Sequence, residues 1–320
     1  MVQAAVVTAW GQPPKYETIE LPEPTDGHER IRVIAAGLHN LVRGRAAGRH
    51  FSVANSSPPH IPGTDGVGTL VPSDKLVYFN CLTAPTGSFA DEINVAKEEV
   101  FELPAGANAD LIAVLANPAM SSWMALTARA GIAPGQKQGF NVAIVGATGV
   151  SGQAAVQIAK AIGAKAIVAI GKPGPKLERT KELGATATIP LHTQIEDTNF
   201  GPAAEVDVVL DYLWGNVAKG ALPGIVAKRK NKSARLTWVE IGALAGENLE
   251  VSQSLLKKAN VALFGCGPGS WTYPELHAQL PAMLRAMVDN QLSAEYEVKK
   301  LSDIRDWWTT QEGSRRLVKP

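Results

Sequence analysis

Residues 146 to 152 read Gly146, Ala147, Thr148, Gly149, Val150, Ser151, Gly152, with three glycines at three-residue spacing. Glycine has no Cβ, so a ligand or another backbone can come close to the chain there. Before this turn, Val142 to Val145 is a continuous apolar run, as expected of a strand buried on both faces of a parallel sheet. After it, Gln153 to Ile162 carries Ala154, Ala155, Ile158, Ala159 and Ile162 at helical spacing, Gly163 ends that helix, and Ala166 to Ile170 is a second buried strand. A helix that begins on a glycine turn aims unpaired N–H groups at the turn, which is the chemistry that holds a pyrophosphate. The glycines alone match many turns that bind nothing. Strand, turn, helix and strand together are what make this one specific for a dinucleotide.

Charge indicates which dinucleotide. A site that prefers NAD usually carries Asp or Glu at the end of the second strand, about 20 residues past the turn, to bond the ribose hydroxyls. Here that position reads Ile170, Gly171, Lys172. No carboxylate repels a 2′-phosphate, and Lys172 and Lys176 are placed to neutralise one, with Arg179 a weaker candidate. The expected cofactor is NADPH. The alternative for these lysines is ordinary solvated charge at a strand–helix junction.

The elements around this motif follow from length and pattern. A chain of 320 residues exceeds one ordinary core, so two domains are expected. Hydrophobic residues make up 45% and the net charge is +1, which gives no electrostatic bias toward nucleic acid or a membrane surface. The basic run Lys228, Arg229, Lys230, Lys232 and Arg235 reads as a solvated loop. Cys81 and Cys266 are the only cysteines, so no disulfide framework is expected and a reducing, cytoplasmic setting is the simpler reading. The N-terminal residues show no signal-peptide pattern, and no uninterrupted apolar run reaches the length that crosses a bilayer.

Residues 1 to about 115 read as β-rich, with strands over Val2–Val7, Glu29–Ala36, Gly66–Val71 and Lys75–Phe79 and a long loop over Asn55–Gly68. The style changes near Asn117. A helix is expected over Met120–Ala130, preceded by Pro118. From there strands at 142–145, 166–170, 187–189, 206–210, 236–241 and 261–265 alternate with helices at 153–162 and 175–183, the pattern of an open parallel sheet. Pro274–Gln291 is a further helix with an apolar stripe. Ser302 is the expected N-cap of a short helix holding Trp307 and Trp308, which read as packing residues.

The chain resembles the zinc-independent quinone oxidoreductases of the medium-chain dehydrogenase/reductase superfamily over essentially its whole length. The resemblance is carried by IPGTDGVGTLV (Ile61 to Val71), NPAMSSWMAL (Asn117 to Leu126), the glycine turn, DVVLDYLWG (Asp207 to Gly215), IGALAG (Ile241 to Gly246) and the closing GSRRLVKP. It implies an α/β fold: a GroES-like β-rich catalytic domain over residues 1–116 with 268–320, and a Rossmann doubly wound parallel-sheet cofactor domain over 117–267, with the active site in the cleft between them. It also implies that Gly171 with Lys172 or Lys176 forms the 2′-phosphate pocket. Ser121 or Ser122 supplies a hydroxyl near the nicotinamide, Asp211 and Tyr212 end a strand beside the cofactor, and Ile241, Gly242, Ala243, Cys266 and Gly267 lie in loops against the nicotinamide. Asn40, or its neighbour His39, falls where relatives carry an active-site Asn. Asn117, Trp214, Tyr78 and Trp271 are the expected substrate-pocket walls.

Relatives that use zinc place a ligand His where this chain has Thr64, between Gly63 and Asp65, and their other ligands fall near His39, Asn40 and Ser121. A catalytic zinc needs three protein ligands; His39 and His60 find no evident third, so no metal is expected. The resulting expectation is a reductase that passes hydride from NADPH to a quinone or an α,β-unsaturated carbonyl. Asn40, Ser121 and Tyr212 are the candidate hydrogen-bond donors, and Tyr212 or His39 the candidate acid. The alternatives are a zinc-free carbonyl reductase or alcohol dehydrogenase, and a non-catalytic NADPH sensor. A homodimer paired through the edge near Val261–Gly265 is implied as well. The motif Y-x-x-x-K at Tyr296–Lys300, which short-chain reductases place on a long helix, lies in an alternating stretch and reads as chance.

Overall fold

The computed structural model describes residues 1–82, 86–136, 139–310 and 315–320. The chain forms two compact units, one of Met1–Asn117 with Leu280–Pro320 and the other of Pro118–Gln279. The first boundary falls one residue from the expected place. The second lies twelve residues later than the expected 267/268, because the segment in between is tied into the second unit: Trp123 Nε1 donates to Gln279 Oε1 at 2.9 Å and Arg129 Nη1 to the Ser270 carbonyl at 2.7 Å.

The second unit is built on six parallel strands in the order Ala187–Pro190, Ala164–Gly171, Phe140–Val145, Val208–Asp211, Leu236–Glu240, Val261–Gly265. This is the doubly wound order. Strand succession reverses between Phe140–Val145 and Val208–Asp211, and ligands of such sheets bind beyond the carboxyl ends of the strands at that point. Val142, Ala143, Ile144 and Val145 are all 0% exposed, so both faces of the sheet are covered, as the unbroken apolar run requires.

The first unit holds a sheet in the order Tyr296–Lys300, Arg315–Lys319, His28–Leu38, Asp65–Leu70, Leu76–Asn80, Val100–Glu102, with Glu92–Ala96 also paired to His28–Leu38. A two-stranded ribbon joins Val2–Val6 to Lys15–Ile19. Of the closing segment, Gly313 and Ser314 lie outside the described residues; Arg315–Lys319 is the expected strand. Tyr296–Lys300 is likewise a strand, so the Y-x-x-x-K residues do not share a helix face.

Several local expectations are corrected. The helix expected over Met120–Ala130 starts at Ala109, contains Pro118 rather than following it, and passes into a π-turn over Ala125–Arg129. Among the described residues this Ala109–Arg129 stretch is long and apolar enough to cross a membrane by length and composition, yet 72% of its most apolar window is buried within the protein. The glycine-turn helix begins at Val150, three residues early. Helix Gly215–Lys228 is absent from the sequence reading because Gly220, Pro223 and Gly224 are poor helix formers. Packing overrides that propensity: Ala218, Ala221, Leu222, Ile225 and Val226 are buried, while a Cβ on Gly220 would stand 2.3 Å from Ile195 and one on Gly224 2.5 Å from Phe200. Arg229 is not solvated. It is 4% exposed, and its guanidinium donates to the carbonyls of Ala204 (2.9 Å) and Val206 (2.7 Å). Ser302 does not cap the last helix. Asp303 precedes Ile304–Trp307, Ser302 Oγ bonds Asp303 at 2.8 Å, and Trp308 follows the helix. Both tryptophans do pack in the core of the first unit.

Candidate functional site

The glycine turn sits at the switch point of the second unit. Gly146 (φ 89°) is in the left-handed region, where an L side chain is strained. Its N–H and that of Ala147 both reach the Ile170 carbonyl, at 2.9 and 3.0 Å, which stitches the turn to the neighbouring strand. Gly149 caps helix Val150–Ile162 without a side chain, and Gln153 N–H is the first to bond back, to Gly149 O at 2.8 Å. The N–H groups of Val150, Ser151 and Gly152 therefore precede the first intrahelical bond and face the turn.

Each glycine answers a distinct demand. A Cβ on Gly152 would stand 2.3 Å from Gly146 O, so only glycine lets this helix come so close to the strand end. A Cβ on Gly149 would meet nothing nearer than 3.5 Å, so its exposed face is open to a ligand. A Cβ on Gly171 would stand 2.7 Å from Thr148 Cγ2, which closes the cradle beside the second strand. Lys172 and Lys176 lie just beyond Gly171, both exposed, with Lys176 in the first turn of helix Pro175–Glu182. Arg179 is on the same helix, half-buried. This corner fits a dinucleotide diphosphate: amide hydrogens, no side-chain bulk, and cations at the ribose end.

Across the switch point a second loop touches the first. A Cβ on Gly146 would lie 3.2 Å from both Tyr212 Cβ and Leu213 Cγ. That loop is organised by Asp211, which is 0% exposed. Its Oδ1 accepts the N–H groups of Leu213 (2.9 Å) and Trp214 (3.0 Å), and its Oδ2 accepts Trp238 Nε1 (3.0 Å). Burial pushes this carboxyl above the usual range, and the three donors oppose that. The side chain of Asp211 is thus consumed within the protein, so the residue shapes the cofactor corner rather than presenting a carboxylate to it. The chain then turns sharply through Trp214 (φ 54°) and Gly215 (φ 48°) into helix Gly215–Lys228. Such strain in a non-glycine residue persists only where its surroundings enforce it.

Tyr212 is 8% exposed, and its hydroxyl lies 3.2 Å from Ser121 Oγ. Ser121 Oγ donates its one proton to the Pro118 carbonyl at 2.7 Å, so the phenol is the donor of the pair. Burial raises the Tyr212 phenol well above its ordinary range, with Ser121 and Ser122 opposing, so it stays protonated at neutral pH. Ser122 is 0% exposed and donates to Ala119 O at 2.9 Å, which makes it the structural member of the serine pair. Cys266 Sγ reaches the Ser121 carbonyl at 3.8 Å. Its thiol is pushed up to about 11, by burial first, with Trp271 and Arg129 opposing. Ile241 and Gly242 are hung from the Asp211 carbonyl at 2.8 and 3.3 Å, Ala243 is exposed, and Gly267 N–H is fixed by Ser270 Oγ at 2.9 Å. Trp214 and Trp271 are half-buried.

The remaining expected residues lie in the first unit. Asn40 opens helix Asn40–Ala46 with its side chain exposed, and Asn117 is half-buried in the helix that begins at Ala109. Tyr78 is not a pocket wall. It is 0% exposed, and its hydroxyl donates to Asp65 Oδ2 at 3.2 Å. His39 is buried, with Nε2 3.1 Å from Asp65 Oδ1 and 3.1 Å from Thr64 Oγ1. Burial lowers its pKa, Asp65 opposes that, and Arg315 adds to it. Sequence reasoning named His39 and missed its partners. Asp65 and Thr64 sit 26 and 25 residues further along the chain, and no local spacing announces the contact. Among the described residues, no three His, Cys, Asp or Glu side chains gather as a metal site.

No protein-family model matches the chain. It is 26% identical, over the full length of both chains, to a probable NADPH-dependent quinone reductase (tdiC) of Emericella nidulans. Its fold matches that of an alcohol dehydrogenase superfamily protein from Novosphingobium aromaticivorans, with 21% identity, all of both chains covered and a TM-score of 0.79. It also matches the quinone oxidoreductase of Thermus thermophilus, with 22% identity, 99% of this chain and 100% of the other covered, and a TM-score of 0.74. With a β-rich unit and a six-stranded doubly wound unit, the chain has the fold of the alcohol dehydrogenase and quinone oxidoreductase structures and is similar over its full length to a probable quinone reductase.

Proposed function

We propose that the protein is an NADPH-dependent, zinc-free reductase of quinones or α,β-unsaturated carbonyls. The observation that carries this reading is the pairing of two features in the second unit: a glycine cradle lined by free amide hydrogens, and the hydroxyl pair of Tyr212, on the adjoining loop, with Ser121, on the helix that begins at Ala109. The N–H groups of Val150, Ser151 and Gly152 would hold the diphosphate, and Lys172 and Lys176 the 2′-phosphate. When bound, the cofactor supplies the hydride. Tyr212 and Ser121 orient the nicotinamide end, and alignment of this kind accounts for much of the acceleration in a hydride transfer. Thr64, where zinc-using relatives carry a histidine, is a poor zinc ligand, which supports a metal-free reaction.

The similarity to the Emericella nidulans protein supports both the cofactor and the quinone class. The half-exposed edge strand Val261–Gly265, with Leu263 36% exposed, is consistent with a homodimer paired through that edge. The test is a panel of quinones, enones and simple ketones, followed by loss of NADPH absorbance and by product analysis. Oxidation of NADPH by quinones or enones is the expected result. Alcohols formed from simple ketones would mean a carbonyl reductase instead, and tight NADPH binding with no turnover on the panel would mean a sensor.

A further inference from the structure

The β-rich unit holds a polar cluster that the cofactor corner does not use. Strand Arg315–Lys319 runs antiparallel to His28–Leu38 with Val318 opposite Ala36, Leu317 opposite Gly37 and Arg316 opposite Leu38. One step further along this register sets Arg315 against His39, and residues opposite one another in an antiparallel pair project to the same face.

His39, 7% exposed, is anchored through one nitrogen only. A carboxylate at Nε2 keeps the ring proton there and leaves Nδ1 with a lone pair. That Nδ1 is buried and has no hydrogen-bond partner. The anchor itself is rigid: Asp65 is 1% exposed and accepts His39 and Thr64 on one oxygen and Tyr78 on the other. Arg315 is in the same condition. Its Nε and Nη2 are buried without a partner, and among the described residues no ion pair joins it to Asp65. Burial draws the guanidinium down to about 10, with Asp65 opposing, so it remains a cation at neutral pH. Buried polar groups are almost always satisfied, and a buried unpaired cation is costly. An idle acceptor and idle cationic donors, brought to one place by strand register, describe the missing partner. It has an O–H to give to Nδ1 and an oxygen lone pair to receive from Arg315.

We propose that His39 and Arg315 bind the ionisable hydroxyl of an enol or phenol, with Asp65, Thr64 and Tyr78 as positioning residues. This rests on the reductase reading, in which such a hydroxyl is the reduced product. In that reaction hydride adds to carbon and an electron pair moves onto the carbonyl oxygen. Solvent protonates that oxygen, and the hydroxyl so formed donates to Nδ1 of neutral His39 and accepts from Arg315.

The test uses the full-length protein and 4-nitrophenol, whose absorbance reports both binding and ionisation. Saturable binding with a shifted absorbance is expected, weakened at least tenfold in Arg315→Met and in His39→Asn, partly restored in Arg315→Lys, and with NADPH affinity unchanged throughout. Undiminished binding to an Arg315→Met protein that melts like the parent overturns the proposal. If that variant does not fold, undiminished binding to His39→Asn does the same. Site-dependent binding of 4-nitrophenol by a protein that oxidises NADPH with no quinone or enone would leave this site standing and bring down the reductase reading. Turnover with 4-nitrophenol binding indifferent to both residues would do the reverse.

Discussion

Gly152 stands so close to Gly146 that a single added carbon would lie 2.3 Å from the Gly146 carbonyl oxygen. The obstacle is backbone, which cannot rotate away. Gly152→Ala must push the helix from the strand end and misplace the amide hydrogens of Val150 and Ser151. Overpacking of this kind costs about 1–3 kcal/mol. NADPH affinity is expected to fall by roughly tenfold or more, at about 1.4 kcal/mol per tenfold, in a fluorescence titration. Gly149→Ala, whose Cβ meets only one atom at 3.5 Å, should leave thermal stability near the parent's while still weakening the cofactor.

In the proposed function, charge at the end of the second strand favours NADPH over NADH. The double variant Lys172→Glu with Lys176→Glu is expected to weaken NADPH far more than NADH. A charge-assisted hydrogen bond is worth about 1.5–3 kcal/mol, so the ratio of the two dissociation constants should move by roughly tenfold to a hundredfold. Equal weakening of both cofactors would place the phosphate elsewhere.

Tyr212 is the proton donor to Ser121, so Tyr212→Phe removes a hydrogen bond and little volume. Its expected signature is a drop in kcat of roughly tenfold to a hundredfold with NADPH dissociation nearly unchanged, because what is lost is alignment rather than the diphosphate grip. Ser121→Ala should resemble it, and the double variant should cost little more than either single change, since the two side chains act as one unit. Stopped-flow measurement of the hydride step separates these from effects on product release.

Acid stability should report on His60. Its ring lies 5.5 Å from Trp10, and its pKa is lowered to about 4, by burial first and by Arg45 second. A histidine that resists protonation in the folded state binds fewer protons than it does unfolded, so stability is whole above about 6.5 and declines as pH falls toward 4. His39 and His50 are shifted in the same direction and add to the slope. Melting temperatures measured from pH 7.5 to pH 4 should fall less steeply in His60→Gln than in the parent.

The cofactor half of this protein is legible because its demands are local. Unbroken apolar runs identify buried strands, and glycine spacing marks the turn between strand and helix. The sequence alone therefore places the strand at 142–145 within two residues of the observed Phe140–Val145, and places 261–265 without error. Boundaries fail where packing outweighs propensity, as at the helix through Pro118 and at the glycine-rich helix Gly215–Lys228. The first unit is less legible because its polar contacts are long-range. Tyr78 reads as an aromatic wall until Asp65 is found to hold its hydroxyl, and nothing in the sequence singles out Arg315, which the register sets against His39. Asp211 shows the same limit: the resemblance places it at a strand end beside the cofactor, and only the fold reveals Trp238 as its partner.

The near-contact of Gly146 with Tyr212 and Leu213 bears on how such a protein can diversify. The glycine turn and the loop that presents Tyr212 and Trp214 share a wall, so neither can be exchanged independently. A library that varies 211–215 to broaden the range of acceptors will also perturb coenzyme affinity unless residue 146 stays hydrogen-only and Leu213 keeps its bulk. Grafts taken from a homologue should accordingly be transplanted as a pair.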